Sequence, residues 1–164
     1  INTAVADAIP RVAAAGRVVL LWQTGALDHP RLAPQWAGHA DVLVQPYVED
    51  MPAALGAATL LVCRAGAMTL AELTARAKPA ILVPFPGAVD DHQTANARYL
   101  VEAGAAILVP DAELDGPQLA TLVLELLADP ARLAKMGAAS AGLARPRATA
   151  ELAAALVRQA GAGR

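Results

Sequence analysis

Apolar residues along the chain gather into five short runs, at 18–22, 42–45, 60–63, 80–83 and 106–109, each nearly continuous and bounded by Gly, Pro or Asp. A half-exposed strand alternates apolar with polar positions, whereas a strand covered on both faces of a parallel sheet reads as an unbroken apolar run. The five runs therefore predict buried parallel strands. Between them lie stretches of helical length at 28–37, 51–57, 67–77 and 91–103, with three more at 117–128, 130–139 and 148–160. Strand and helix alternating at this spacing predict βαβ units and an α/β fold with an open, doubly wound, Rossmann-like parallel sheet.

The punctuation agrees with this pattern. Gly104 follows the 91–103 stretch as a glycine stop. Asp115-Gly116-Pro117 and Asp129-Pro130 set an acceptor side chain just before a helix-starting proline. Residues 2–15 read as a helix that Pro10 is expected to kink or divide. A helix at the very start implies a strand ahead of it. The opening residue, Ile1 rather than Met, makes the chain an expected part of something longer. Its 164 residues suit one domain, with no linker or repeat in view.

Composition narrows the function classes. With 56% hydrophobic residues the chain can fill a core, which excludes a disordered tract. A net charge of -2 from scattered charges argues against a nucleic-acid partner, because phosphate backbones need a concentrated basic face. No apolar run reaches the roughly 18 residues of a membrane span. No basic-then-apolar leader is visible, so the cytoplasm is the expected compartment. The single cysteine, Cys63, excludes an internal disulfide or a multi-cysteine zinc site and reads as a small core hydrophobe.

In an open parallel sheet, ligands sit beyond the carboxyl ends of the strands. Three of the loops there are informative, although the one after the second run carries no independent functional signal. After the third run comes Cys63-Arg64-Ala65-Gly66-Ala67-Met68-Thr69-Leu70-Ala71-Glu72. Small residues let a ligand approach the backbone, and the helix start that follows offers free N–H groups to a phosphate. Thr69 adds a hydroxyl, and Glu72 is able to take two hydrogen bonds from a ribose diol. Thr-x-x-Glu is equally a capping box that starts a helix and does nothing more.

The loop after the fourth run, from Pro84 through Asn96, brings His92, Gln93 and Asn96 to a helix start, where they suit sugar hydroxyls or phosphate oxygens. It is also readable as a solvated loop with Asp90 or Asp91 as the cap. The paired aspartates lack a third ligand for a metal. After the second run, the extended stretch 45–51 has backbone groups that suit a planar base edge, or it is a turn into a short helix capped by Asp50. A Gly-x-Ser-x-Gly elbow, a Walker loop and a Gly-x-Gly-x-x-Gly motif are all absent from the sequence.

The run from Val62 through Glu72, followed by Lys78-Pro79-Ala80-Ile81-Leu82-Val83-Pro84 and then by Asp91-His92-Gln93-Thr94-Ala95-Asn96-Ala97, resembles the donor-binding half of the MurG family. These are the bacterial peptidoglycan N-acetylglucosaminyltransferases. The resemblance runs from Asn2 through the last helix and implies the C-terminal domain of a GT-B glycosyltransferase. It implies that Gly66, Ala67, Met68, Thr69, Leu70, Ala71 and Glu72 bind the UDP part of UDP-GlcNAc. Ala67, Met68 and Thr69 would face the diphosphate, and Glu72 would hold the ribose hydroxyls. By the same resemblance the Val48 backbone pairs with uracil, Gln93 and His92 contact GlcNAc hydroxyls, Asn96 supports that loop, and Arg64 orients its neighbours.

The implied reaction moves GlcNAc to the muramic acid of lipid I, with inversion and with no metal or other cofactor. The implied base and the membrane contact belong to an N-terminal acceptor domain absent from this chain, placing the whole enzyme at the inner face of the plasma membrane. The chain alone is therefore expected to be inactive. Two other readings stand beside it: the donor half of a split dolichol-type GlcNAc transferase, and a non-catalytic nucleotide-binding module, since fold alone does not fix function.

Overall fold

The computed structural model describes residues 1–16 and 18–162. Its strands are β1 (Leu20–Gln23), β2 (Val42–Gln45), β3 (Leu61–Cys63), β4 (Ala80–Leu82) and β5 (Ala106–Leu108), one in each apolar run. All pairings are parallel. Leu20 lies opposite Val42, and Val62, Ile81 and Ile107 align across the other three strands. The expected single sheet is two ladders, β1-β2 and β3-β4-β5, with no hydrogen-bonded pairing between them among the described residues. Burial joins what the backbone does not: Trp22 and Val42 from one ladder share a core cluster with Ile81, Val83 and Val109 from the other.

Helices α1 (Asn2–Ala14), α4 (Ala67–Ala75), α5 (His92–Glu102), α6 (Gly116–Leu127) and α7 (Pro130–Gly142) cover the β3-β4-β5 ladder on both sides. The β4 run shows why this is doubly wound. Ile81 and Val83 pack with α1, α6 and the first half of α7, while Ala80 and Leu82 pack with α4, α5 and the end of α7. Period-two side-chain alternation thus feeds two cores, which is what a continuous apolar run demands. The two-sided burial expected of every strand holds for β4, whose three residues are fully buried, but not for β1 and β2. Leu21 and Leu43 stay nearly half exposed. An apolar run states that burial is affordable on both faces, and only the arrangement of helices decides whether a second cover arrives.

Two expected helices differ. Pro10 neither divides nor ends α1, because Val5, Ala8, Ile9 and Val12 form a buried stripe at i, i+3, i+4 and i+7 that holds both sides of the proline to the core. The 28–37 stretch is only a four-residue helix, α2 (His29–Leu32), running into a 3-10 turn at Ala33–Trp36. Pro34 has no N–H to donate to the carbonyl four residues back, so the α pattern stops there.

The short α3 (Met51–Ala57) starts at Asp50, whose carboxylate accepts from the Ala53 N–H. Asp115 and Asp129 accept from Gln118 and Arg132 in the same way, as the Asp-Pro punctuation predicts. At the end of α5, Gly104 takes a φ of +77° and the Ala105 N–H bonds to the Leu100 carbonyl at 2.8 Å, a Schellman-type stop. Gly116 serves packing: a Cβ there would lie 2.9 Å from the Asp7 carbonyl carbon, so its absence lets α6 close against α1. The last helix, α8 (Ala148–Ala162), is exposed throughout 148–160. Among the described residues no helix is long and apolar enough to cross a membrane.

Candidate functional site

Both ladders end at the same place. The Asn2 carboxamide donates to the Thr24 carbonyl at 2.8 Å and to Asp28 Oδ2 at 2.7 Å, and accepts from Trp22 Nε1 at 3.1 Å. Its neighbour, the Ile1 amino group, lies 3.9 Å from Asp111 Oδ1. The start of α1 therefore touches the loop after β1 and the loop after β5, and the carboxyl ends of the two ladders open to one side. The Asn2 hydrogen bond, with that of Arg31 next, holds the Asp28 carboxyl below its ordinary value.

At this edge α4 begins at Ala67 with Gly66 as its N-cap, and no side chain caps it. The capping-box alternative for Thr69 and Glu72 is thereby corrected. The helix starts three residues before the position a Thr cap requires, leaving Thr69 in the third helical position and Glu72 in the second turn. The first intrahelical bond runs from the Leu70 N–H to the Gly66 carbonyl at 3.0 Å. The N–H groups of Ala67, Met68 and Thr69 have no carbonyl behind them and sit at the positive end of the helix dipole. Ala67, Met68, Ala71 and Glu72 are exposed, Gly66 and Thr69 half-buried, and Leu70 is buried in the core. Leu70 thus offers a ligand no side chain. A Cβ on Gly66 would meet only Thr69 Oγ1, at 3.9 Å, so protein packing does not require a glycine there.

Helix α5 clamps the residue that precedes this start. Gln93 Oε1 accepts from the Ala65 N–H at 3.1 Å and from the Phe85 N–H at 3.0 Å. Asn96 Nδ2 donates to the Ala65 carbonyl at 3.1 Å. Ala65, fully buried, is held on both sides of its peptide. With its oxygen taken twice, Gln93 has only Nε2 left to offer, as a donor. Next to it, Arg64 Nη1 donates to the Val83 carbonyl at 3.2 Å, the Pro84 carbonyl at 2.9 Å and Asp111 Oδ1 at 2.6 Å.

His92, the exposed first residue of α5, directs Nδ1 at the Val89 carbonyl at 2.7 Å, and because a carbonyl only accepts, that nitrogen donates. The expectation that Asp90 or Asp91 caps α5 with its side chain is corrected. Asp91 occupies the N-cap position but caps nothing, and its carboxylate accepts from Thr94 Oγ1 at 2.6 Å. Both aspartates adopt positive φ, 50° and 49°, in the region that non-glycine residues rarely occupy.

Val48 stands apart, in the loop after β2. Its N–H donates to Gln23 Oε1 at 2.9 Å, so the donor expected to face a base edge is already engaged. Beside it lies a groove of about 490 Å³ whose walls include Leu21, Tyr47, Val48 and the small residues Ala53, Ala54 and Ala57. Gln23 and Asp111 were missed by the sequence reading. Each is a polar residue just past an apolar run, a position that was legible once the carboxyl edge mattered. Cys63 ends β3, where burial pushes its thiol up to about 12 with the Glu72 carboxylate adding to the rise, so it is a neutral thiol rather than a nucleophile. Among the described residues no three of His, Cys, Asp and Glu gather as metal ligands.

The comparisons with known proteins point one way. Residues 1–152 match the family model described as "Glycosyltransferase family 28 C-terminal domain". The chain is 50% identical over 155 residues to the "UDP-N-acetylglucosamine--N-acetylmuramyl-(pentapeptide) pyrophosphoryl-undecaprenol N-acetylglucosamine transferase" of Alkalilimnicola ehrlichii, covering 93% of this chain and 43% of that protein. It is 48% identical over 137 residues to the protein of the same name from Chlorobium limicola, covering 84% and 38%. Among solved structures, MurG of Acinetobacter baumannii superposes with a TM-score of 0.76 at 32% identity, over 91% of this chain and 44% of that one. The glycosyltransferase VinC shares the fold, with a TM-score of 0.69 at 20% identity over 93% of this chain and 36% of that one. The chain thus spans about two fifths of the length of these curated relatives.

Proposed function

The chain belongs to the family of glycosyltransferase family 28 C-terminal domains, and on that premise we propose that it is the donor-binding part of a MurG-type transferase, taking UDP-GlcNAc. The observation that carries the proposal is the open start of α4. Three N–H groups there lack an intrahelical or side-chain acceptor, and the exposed Glu72 carboxylate has no hydrogen-bond or ion-pair partner among the described residues. A diphosphate on Ala67–Thr69 and a ribose diol on Glu72 would satisfy groups that the protein leaves unpaired.

The remaining roles follow from the same geometry. The groove beside Val48 suits a flat base, with Gln23 giving up the Val48 N–H as the base arrives. Gln93 donates from Nε2 to a sugar oxygen, while His92 presents Nε2. Asn96 acts through Ala65.

In the transfer itself an acceptor hydroxyl oxygen attacks the anomeric carbon as the bond to the β-phosphate oxygen breaks. Charge grows on the departing UDP, and the α4 start stabilises it. The hydroxyl proton goes to a base, which this reading assigns to the acceptor part of the whole enzyme, along with the lipid I site and the membrane contact. The chain alone therefore binds donor without turning over lipid I. Donor binding without a metal ion is part of the proposal.

Calorimetry in EDTA tests it, with UDP, UDP-GlcNAc, UDP-GalNAc and ADP against the wild type and Glu72→Ala. Losing a charged contact to the ribose costs about 1.5–3 kcal/mol, an order of magnitude or more in affinity. Selective uridine-nucleotide binding that weakens by that much in the variant supports the reading. Equal binding of ADP, or indifference to Glu72, refutes it.

A further inference from the structure

We infer that Asp111 is a positioning residue for the phosphate end of this site, acting through Arg64 on the start of α4. The inference rests on the donor reading and goes beyond the motifs that led to it, since Asp111 lies in none of them. Arg64 is two residues ahead of the α4 N-cap, and its single Nη1 reaches three acceptors on two other loops. Two of them, the Val83 and Pro84 carbonyls, are main chain, so the guanidinium sits where the β4 loop dictates. The third and shortest contact, 2.6 Å, is the Asp111 carboxylate in the loop after β5. The Phe85 ring lies 5.4 Å from the guanidinium carbon. The loops after β3, β4 and β5 therefore meet in one charged node directly beside the Ala65 peptide that Gln93 and Asn96 clamp.

Both side chains are about one-third exposed, 34% for Arg64 and 29% for Asp111, so water screens the pair less than it does a free surface pair. Without the carboxylate, Arg64 keeps only neutral acceptors, and the loop that sets the three α4 N–H groups loses its tie to β5. A diphosphate depends on those N–H groups holding their geometry to within about 0.5 Å, so a shift of the α4 start weakens its hydrogen bonds. Uridine lacks the phosphates and does not depend on them.

That difference separates positioning from general stability. UDP and uridine are titrated calorimetrically, well below the melting temperature, into wild type, Asp111→Ala and the isosteric Asp111→Asn. Asp111→Ala is expected to weaken UDP roughly tenfold while uridine changes less than twofold, with Asp111→Asn in between because an amide oxygen still accepts from Nη1. An equal loss for both ligands would make the pair merely structural and overturn the inference. So would tighter UDP binding, which would mean that Asp111 only masks the Arg64 charge. A wild type that prefers UDP over ADP while the variants leave the UDP-to-uridine ratio unchanged sinks the inference alone. A wild type without that preference sinks the donor reading and the inference together.

Discussion

Gln93 offers a sharp separation of a fold-holding role from a ligand-binding one. Its Oε1 takes two backbone N–H groups, those of Ala65 and Phe85. Ala65 is fully buried, so removing the acceptor leaves its N–H with no water to turn to, whereas the Phe85 N–H is better placed to rehydrate. The first loss is worth about 1–2 kcal/mol and the second about 0.5–1, so Gln93→Ala should destabilise the chain by about 2 kcal/mol. For a domain of this size that corresponds to a melting temperature lower by about 4–8 °C. Gln93→Glu keeps both acceptor positions and adds charge to them, so it should melt within about 2–3 °C of the wild type. What Glu lacks is the Nε2 donor. Under the donor reading both variants lose the preference for UDP-GlcNAc over UDP, although only one loses stability. Thermal denaturation followed by circular dichroism, paired with calorimetry, reads both effects. If Gln93→Glu melts as low as Gln93→Ala, the two-acceptor clip is refuted. If it keeps the sugar preference, the donor role falls and the clip stands.

Two further outcomes follow from packing and burial. Gly116→Ala places a Cβ against Asp7 and Ala8, and should cost about 1–3 kcal/mol by prising α6 from α1, measured by urea denaturation; an unchanged midpoint would mean that the two helices are not held that closely. The Cys63 thiol, pushed up to about 12 from an ordinary value of 9.0, favours the folded state below pH 9, and its contribution is lost as pH rises from 9 towards 12, where the unfolded chain ionises first. Stability measured across that window should fall less steeply in Cys63→Ala, and matching slopes would contradict the buried-thiol account.

Some of this protein is written in local sequence. The apolar runs at 42–45 and 80–83 read as strands because they are too short for helices and are bounded by breaking residues such as Asp41, Pro46, Pro79 and Pro84. Asp50, Asp115 and Asp129 start their helices through contacts only three residues long, so their caps are legible without any fold. The motif residues from Gly66 to Glu72 and from His92 to Asn96 were legible as chemistry for the same reason: identity and spacing are local facts. What those residues do to one another is not local. Whether Thr69 and Glu72 cap a helix or stand free was decided by where α4 begins, and the residue just ahead of its N-cap, Ala65, is gripped by Gln93 and Asn96 from 28 and 31 residues away. The cover missing from Leu21 and Leu43, the survival of α1 across Pro10 and the junction of Arg64 with Asp111 have the same origin. Period and capping chemistry act within a few residues and were fixed along the chain; burial and charge pairing act through space, so only the assembled structure could choose their partners.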